Sequence, residues 1–171
     1  MHVDWTKERS RNGGADEVPL PDGVTPGRLW LCGKHFVGGD VELALQKTGA
    51  TTVVCLNQEH EIGDRYPAYV EWLRTHDDDR ALWFPIPDLH APDLERANEL
   101  IAALRRRLDD GETLLVHCGA GIGRAGTVAA ALLMSMGVAM HDAIDTVAAA
   151  RPMAGPEAGA QLDLLAALAD A

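Results

Sequence analysis

The sequence predicts an α/β domain: a central, mostly parallel sheet of four to five strands flanked by helices. Three observations carry that prediction. Short apolar and β-branched runs alternate with segments of helical periodicity. The last third of the chain is helical in pattern, with no further strand signal. The 171 residues, 47% hydrophobic and 24% charged, suit one domain with a sizeable core.

Along the chain, residues 1–26 read as a lead-in and residues 27–171 as the domain. The lead-in mixes charges with Gly13, Gly14, Pro19, Pro21 and Gly23, and has no sustained apolar period. Lys7, Arg9 and Arg11 in it read as a solvated tail or a small basic handle. Residues 28–32 alternate as a short strand. Residues 41–47 have a helical pattern that stops before Gly49. Residues 51–56 form a β-branched run, read as a buried strand. Residues 66–74 read as a helix, 77–79 as a solvated turn and 81–84 as another strand. A proline-rich loop follows, from Pro85 to Pro92. Leu94, Ala97, Leu100, Ile101 and Leu104 recur at helical spacing and place a long helix over 93–108. Arg105, Arg106 and Arg107 fall in its last turns, where cations suit the helix dipole; an anion-binding patch is the competing reading. Residues 113–117 are a strand, and a glycine-rich turn over 118–124 opens a helix to about Met136. The uncharged stretch 125–140 falls short of the roughly 20 residues of a membrane span and reads as a buried core helix. Helices over 141–150 and 159–169 complete the chain.

Lys and Arg total 15 against 26 Asp and Glu, a net charge of −11. That balance disfavours nucleic acid, whose binding needs cations to displace counterions, and it disfavours anionic lipid. Residues 1–20 lack the apolar stretch of an export signal. Cys32, Cys55 and Cys118 do not make a disulfide framework. The expectation is a cytoplasmic monomer with free thiols and with neither nucleic acid nor membrane as a partner.

The chemistry sits in the turn His117-Cys118-Gly119-Ala120-Gly121-Ile122-Gly123-Arg124. It follows a strand and opens a helix, where backbone N–H groups are unpaired and the dipole is positive. Closely spaced glycines let successive N–H groups curl into an anion-binding nest. A cysteine in that field is favoured as thiolate. Arg124 can fold its planar fork over the loop to grip two phosphate oxygens. Nucleophile, donor ring and bidentate cation together are what attack on phosphorus requires.

This segment resembles the His-Cys-x5-Arg signature of cysteine-dependent protein phosphatases. From about Gly27 to Ala169 the chain is similar to a compact dual-specificity-type member of that superfamily. The loop's place in the second half of the chain favours that branch over the low-molecular-weight one. The resemblance implies that Cys118 is the nucleophile, that the loop Gly119, Ala120, Gly121, Ile122, Gly123 with Arg124 binds phosphate, and that His117 is buried and supports the loop. It implies a general acid on the loop after the third strand signal, 81–84, where Asp88 is the first aspartate. Asp93 reads instead as a helix cap, and His90 as a solvated loop residue. Arg151-Pro152 and Gln161 are similar to the family's closing segment, with Gln161 read as a helix-surface residue. Residues 53–62 are similar to the family's second strand and following loop, whose side chains border the pocket. One departure stands out: the family usually has Ser or Thr after the arginine, and here it is Ala125. The missing hydroxyl implies less support for the thiolate and slower breakdown of the phosphocysteine.

Three other readings compete. Gly121-Ile-Gly123-Arg-Ala-Gly126 fits a dinucleotide fingerprint, but the position about 20 residues on is helical in pattern, and too little chain remains. Cys32-Gly-Lys-His35 has half-site spacing for zinc, with Cys55, His60 and His90 available, but no second half fits. A catalytically weak or inactive phosphate-binding module of the same fold is the third. The expected function is a protein phosphatase that needs no metal or cofactor. Its expected substrate is a phosphorylated protein, on phosphotyrosine and then phosphoserine/threonine, or a small phosphomonoester. The neutral loop residues and the acidic charge weigh against phosphoinositides. Cys32 or Cys55 could resolve an oxidised Cys118.

Overall fold

The computed structural model describes residues 14–171. Strand β1 (Asp16–Val18) runs antiparallel to β2 (Arg28–Gly33). Two helices follow, α1 (Lys34–Gly38) and α2 (Val41–Thr48), then β3 (Thr52–Cys55). The short α3 (Glu59–Ile62) precedes α4 (Pro67–His76) and β4 (Ala81–Trp83). After the proline-rich loop come α5 (Leu94–Asp109) and β5 (Thr113–Cys118). The chain ends in α6 (Gly123–Ser135), α7 (Met140–Ala150) and α8 (Gly159–Asp170). The sheet order is β1-β2-β5-β3-β4, with every pair but β1–β2 parallel.

The chain adopts the predicted α/β class and mostly parallel sheet, with five strands where four to five are predicted. The local chemistry accounts for the boundaries. Asp40 caps α2 by accepting from the Leu43 N–H, and Gly49 ends it with a left-handed φ of 72°. Asp93 caps α5 by accepting from Arg96 N–H at 2.8 Å, which is the role the sequence assigned to it. Two short helices, α1 and α3, were not predicted; neither is long enough to show a period. Within the lead-in, read from the sequence as extended or partly ordered, Asp16–Val18 form the edge strand of the sheet. Lys7, Arg9 and Arg11 lie outside the described residues.

The sheet separates two cores. Under one face α5, α6, α7 and α8 pack Leu100, Leu104, Val128, Leu132, Val147 and Leu165 against Leu31, Val54 and Val116. Under the other, α1, α2 and α4 pack Val37, Leu45, Val70 and Leu73 against Val53 and Leu115. The helix α6 is buried from Gly123 to Leu133, which accounts for Arg124 being its one charged residue. No helix among the described residues is long and apolar enough to cross a membrane. Parallel pairing brings the C-terminal ends of β2, β5, β3 and β4 to one edge, the usual place for a ligand in such sheets.

Candidate active site

At that edge β5 delivers Cys118 between Gly33 of β2 and the end of β3. The chain then turns through 119–122 into α6. Gly121 has a φ of 75°, and a Cβ there would overlap the Cys32 carbonyl, so the loop lies flush on β2.

The carbonyls of the loop are tied outward one after another. Lys34 N–H donates to Gly119 O at 2.9 Å. Arg151 donates to Ala120 O at 2.8 Å and to Gly121 O at 3.0 Å. Gly126 and Gly155 N–H groups donate to Ile122 O at 2.9 and 3.1 Å. Every peptide bond among the described residues is trans, so each N–H points opposite to its carbonyl. The N–H groups of Ala120, Gly121, Ile122 and Gly123 are therefore turned to the inner side of the loop. Four successive inward N–H groups have the geometry of an anion-binding nest.

Arg124 stands in the first turn of α6 and is buried. Its NH1 and NH2 meet Glu61 Oε2 and Oε1 at 2.8 and 2.7 Å. NH1 also donates to Ile86 O at 2.7 Å. Among the described residues, its Nε is buried without a hydrogen-bond partner. So the end of the fork is spent on Glu61, and the Nε side remains for an oxyanion. Burial lowers the Arg124 pKa, but Glu61 and the Cys118 charge raise it further, and the net shift is upward. Burial alone pushes the Glu61 carboxyl up, but the bonds from Arg124 and from Gln58 N–H outweigh it and hold it below the usual range.

Glu61 is the functional residue that sequence reasoning did not single out, although it lies in the 53–62 stretch expected to border the pocket. A capping box places it: Gln58 N–H donates to its Oε2 at 2.7 Å. Asn57 Nδ2 donates to Oε1 at 3.1 Å.

Asp88 follows Ile86 on the proline-framed loop. Its side chain is 70% exposed, with Oδ1 3.5 Å from Arg124 NH2 and accepting from Leu89 N–H at 2.9 Å. His90 is exposed, its Nδ1 2.8 Å from Asp88 O. Gln161 departs from expectation. It is 1% exposed, not on the helix surface. Its Oε1 accepts from Glu157 N–H at 2.7 Å, and its Nε2 donates to His90 O at 3.4 Å, so its amide bridges two loops.

His117 is buried as expected. Nδ1 lies 3.2 Å from the Cys118 carbonyl and Nε2 2.5 Å from Tyr69 Oη. A carbonyl only accepts, so Nδ1 carries the proton and the Tyr69 hydroxyl donates to Nε2. Burial lowers its pKa to about 4, so the ring is neutral. Ala125 is wholly buried at the position of the missing hydroxyl. Thr127 does not replace it, because its hydroxyl donates to Gly123 O at 2.6 Å.

Several residues of the competing readings have structural surroundings of their own. Gly126, the last glycine of the dinucleotide fingerprint, is needed because a Cβ would overlap the Gly155 backbone. Cys32 and Cys55 are buried, and burial pushes both thiols up, Cys55 to about 12. His35 Nδ1 lies 2.6 Å from Tyr66 Oη. Among the described residues the acidic and histidine groups that converge are the exposed His141, Asp142 and Asp145 on α7, none of them in the zinc half-site.

Comparisons with known proteins agree with this geometry. A family model described as PTP-SAK, Swiss Army Knife protein, DSP-PTPase phosphatase domain, matches residues 22–166. Human dual specificity phosphatase 28 is 30% identical over 154 residues, 89% of this chain and 80% of that protein. The solved structure of Tk-PTP in its active form has a TM-score of 0.68 at 27% identity, over 91% of this chain and 97% of that one. Kinase-associated phosphatase, solved with serine in place of its catalytic-site cysteine, shares the fold, with a TM-score of 0.73 at 21% identity over 92% of this chain and 94% of that one. The match over most of its length shows that this chain belongs to the dual-specificity phosphatase superfamily.

Proposed function

We propose that the protein hydrolyses phosphomonoesters through a phosphocysteine intermediate. Its proposed substrates are phosphotyrosine and phosphoserine/threonine in proteins. The observation that carries this reading is the pose of Arg124. Glu61 occupies the end of its fork and leaves the buried Nε without a partner, beside four inward-turned loop N–H groups. A buried donor such as this Nε is costly unless an acceptor meets it.

In the first step the Cys118 thiolate attacks phosphorus. The S–P bond forms as the P–O bond to the alcohol breaks. Asp88, as carboxylic acid, gives its proton to the departing oxygen. The loop N–H groups and Arg124 hold the three equatorial oxygens. In the second step Asp88, as carboxylate, takes a proton from water while the water oxygen attacks phosphorus. The S–P bond breaks, and thiolate and inorganic phosphate are released. Arg124 and the loop meet the charge of the phosphoryl group, so the reaction needs no metal.

The loop residues 119–123 are uncharged, which supports protein phosphoesters over polyanionic lipid headgroups. The three free thiols suit a reducing compartment, and we place the protein in the cytoplasm.

The test is hydrolysis of an aryl phosphate with EDTA present, from about pH 5 to 8. Wild type should be active, and Cys118→Ser should be inactive. A wild type that binds orthovanadate but does not turn over would identify a phosphate-binding module, the alternative that buried Ala125 favours.

A further inference from the structure

Arg151 has the largest wholly buried side chain among the described residues, 1% exposed. A guanidinium is kept out of water only where its donors are met. Here they divide into two sets. Nε and NH2 hold the Gly121 and Ala120 carbonyls at 3.0 and 2.8 Å. NH1 holds Gly14 O at 2.8 Å and Asp16 Oδ2 at 2.9 Å. One half of the fork grips the loop from behind, and the other half is gripped by the N-terminal edge of the sheet.

The first half decides where the cradle points. The Ala120 and Gly121 carbonyls belong to the peptide planes whose N–H groups are those of Gly121 and Ile122. Released, either plane can rotate, and a rotated plane turns an oxygen toward the anion in place of an N–H. The second half fixes the fork itself. Asp16 supplies a counter-charge, and the Gly14 carbonyl supplies a second acceptor. Burial pushes the Arg151 pKa down while the nearby Cys32 and Cys118 charges push it up, with a net downward shift.

We propose that Arg151 and the segment Gly14–Asp16 form one positioning device for the phosphate cradle. The N-terminal strand is thereby part of the binding machinery, although it touches no substrate. The proposal rests on reading the loop 119–124 as that cradle. None of these residues is a catalytic residue; they act through the orientation of the loop peptides.

The experiment uses the full chain with Asp16→Asn, Asp16→Glu and Arg151→Lys, and Glu42→Gln as control, since Glu42 pairs with Arg80 on the protein surface. Three quantities are read for each variant: amide hydrogen exchange at 119–123, inhibition by orthovanadate, and the kinetics of an aryl phosphate. Lysine keeps the charge but cannot span two carbonyls. Arg151→Lys should therefore weaken orthovanadate binding about tenfold, the loss of one charge-assisted hydrogen bond. The pH profile of Cys118 alkylation should not move. Asp16→Asn should speed exchange at 119–123 and weaken orthovanadate binding in the same direction, and Asp16→Glu should restore both. The control should match wild type. Wild-type exchange and orthovanadate affinity in folded Asp16→Asn protein would overturn the proposal. The exchange arm does not depend on turnover, so a wild type without phosphatase activity would sink the proposed function and leave this inference to be decided by exchange alone. Should Arg151→Lys fail to fold, Asp16→Asn decides.

Discussion

Glu61 and Arg124 meet end-on, both carboxylate oxygens against both terminal nitrogens, at 2.7 and 2.8 Å, in a largely buried pocket. Removing one partner of such a pair leaves the other charged and unmet. Glu61→Gln should destabilise the protein by about 3 kcal/mol, measured by urea unfolding. It should also lower kcat/KM about tenfold or more, because the freed fork no longer presents Nε to the phosphate.

Asp88 is the proposed proton donor to the leaving group, and its loop is tied down by Arg124 through Ile86 O and by Gln161 through His90 O. Asp88→Asn should lose the basic limb of the pH–rate profile. The loss should be about a hundredfold for a phenyl phosphate and much smaller for a leaving group that needs no proton. Gln161→Leu should show the same leaving-group dependence in weaker form. An equal loss across leaving groups would count against both assignments.

Ala125 is buried with no hydroxyl, and the Thr127 hydroxyl is committed to Gly123 O. Ala125→Ser should raise steady-state turnover by about fivefold, the order of one hydrogen bond to the leaving sulfur. Rapid-quench measurements should show the gain in phosphocysteine breakdown. An unchanged breakdown rate would refute it.

His117 gives a pH signature. Burial lowers its pKa in the folded state to about 4, against about 6.5 in an unfolded chain. Between those values the unfolded chain binds a proton that the folded protein does not. Its contribution is therefore complete above the unfolded value and is lost as pH falls through the window. Unfolding midpoints measured at about pH 7 and about pH 5 should drop in wild type and drop less in His117→Gln.

The cysteine, the glycines and Arg124 were legible because they are contiguous, and their relation to a strand and a helix is local. The loop that carries Asp88 was legible through its prolines, and the Asp93 cap through the helix it opens. What escaped was partnership across the chain. Glu61 lies 63 residues from Arg124, and nothing periodic links them. Gln161 sits in an apolar helix where a lone amide looks like surface; it is buried because two loops use its two ends. Strand β1 has three residues, too few for an alternation to show, and its place in the sheet comes from pairing with β2.

The bond between Arg151 and Asp16 joins residues 135 apart in sequence. Contacts that close so long a loop are entropically costly and form late in folding. In refolding from urea, helix content should return before the protein regains orthovanadate binding. During synthesis, the cradle cannot be held until residue 151 has cleared the ribosome. A nascent chain that already contains Cys118 and Arg124 should therefore stay inactive until the segment after α7 reaches back to the N-terminal strand.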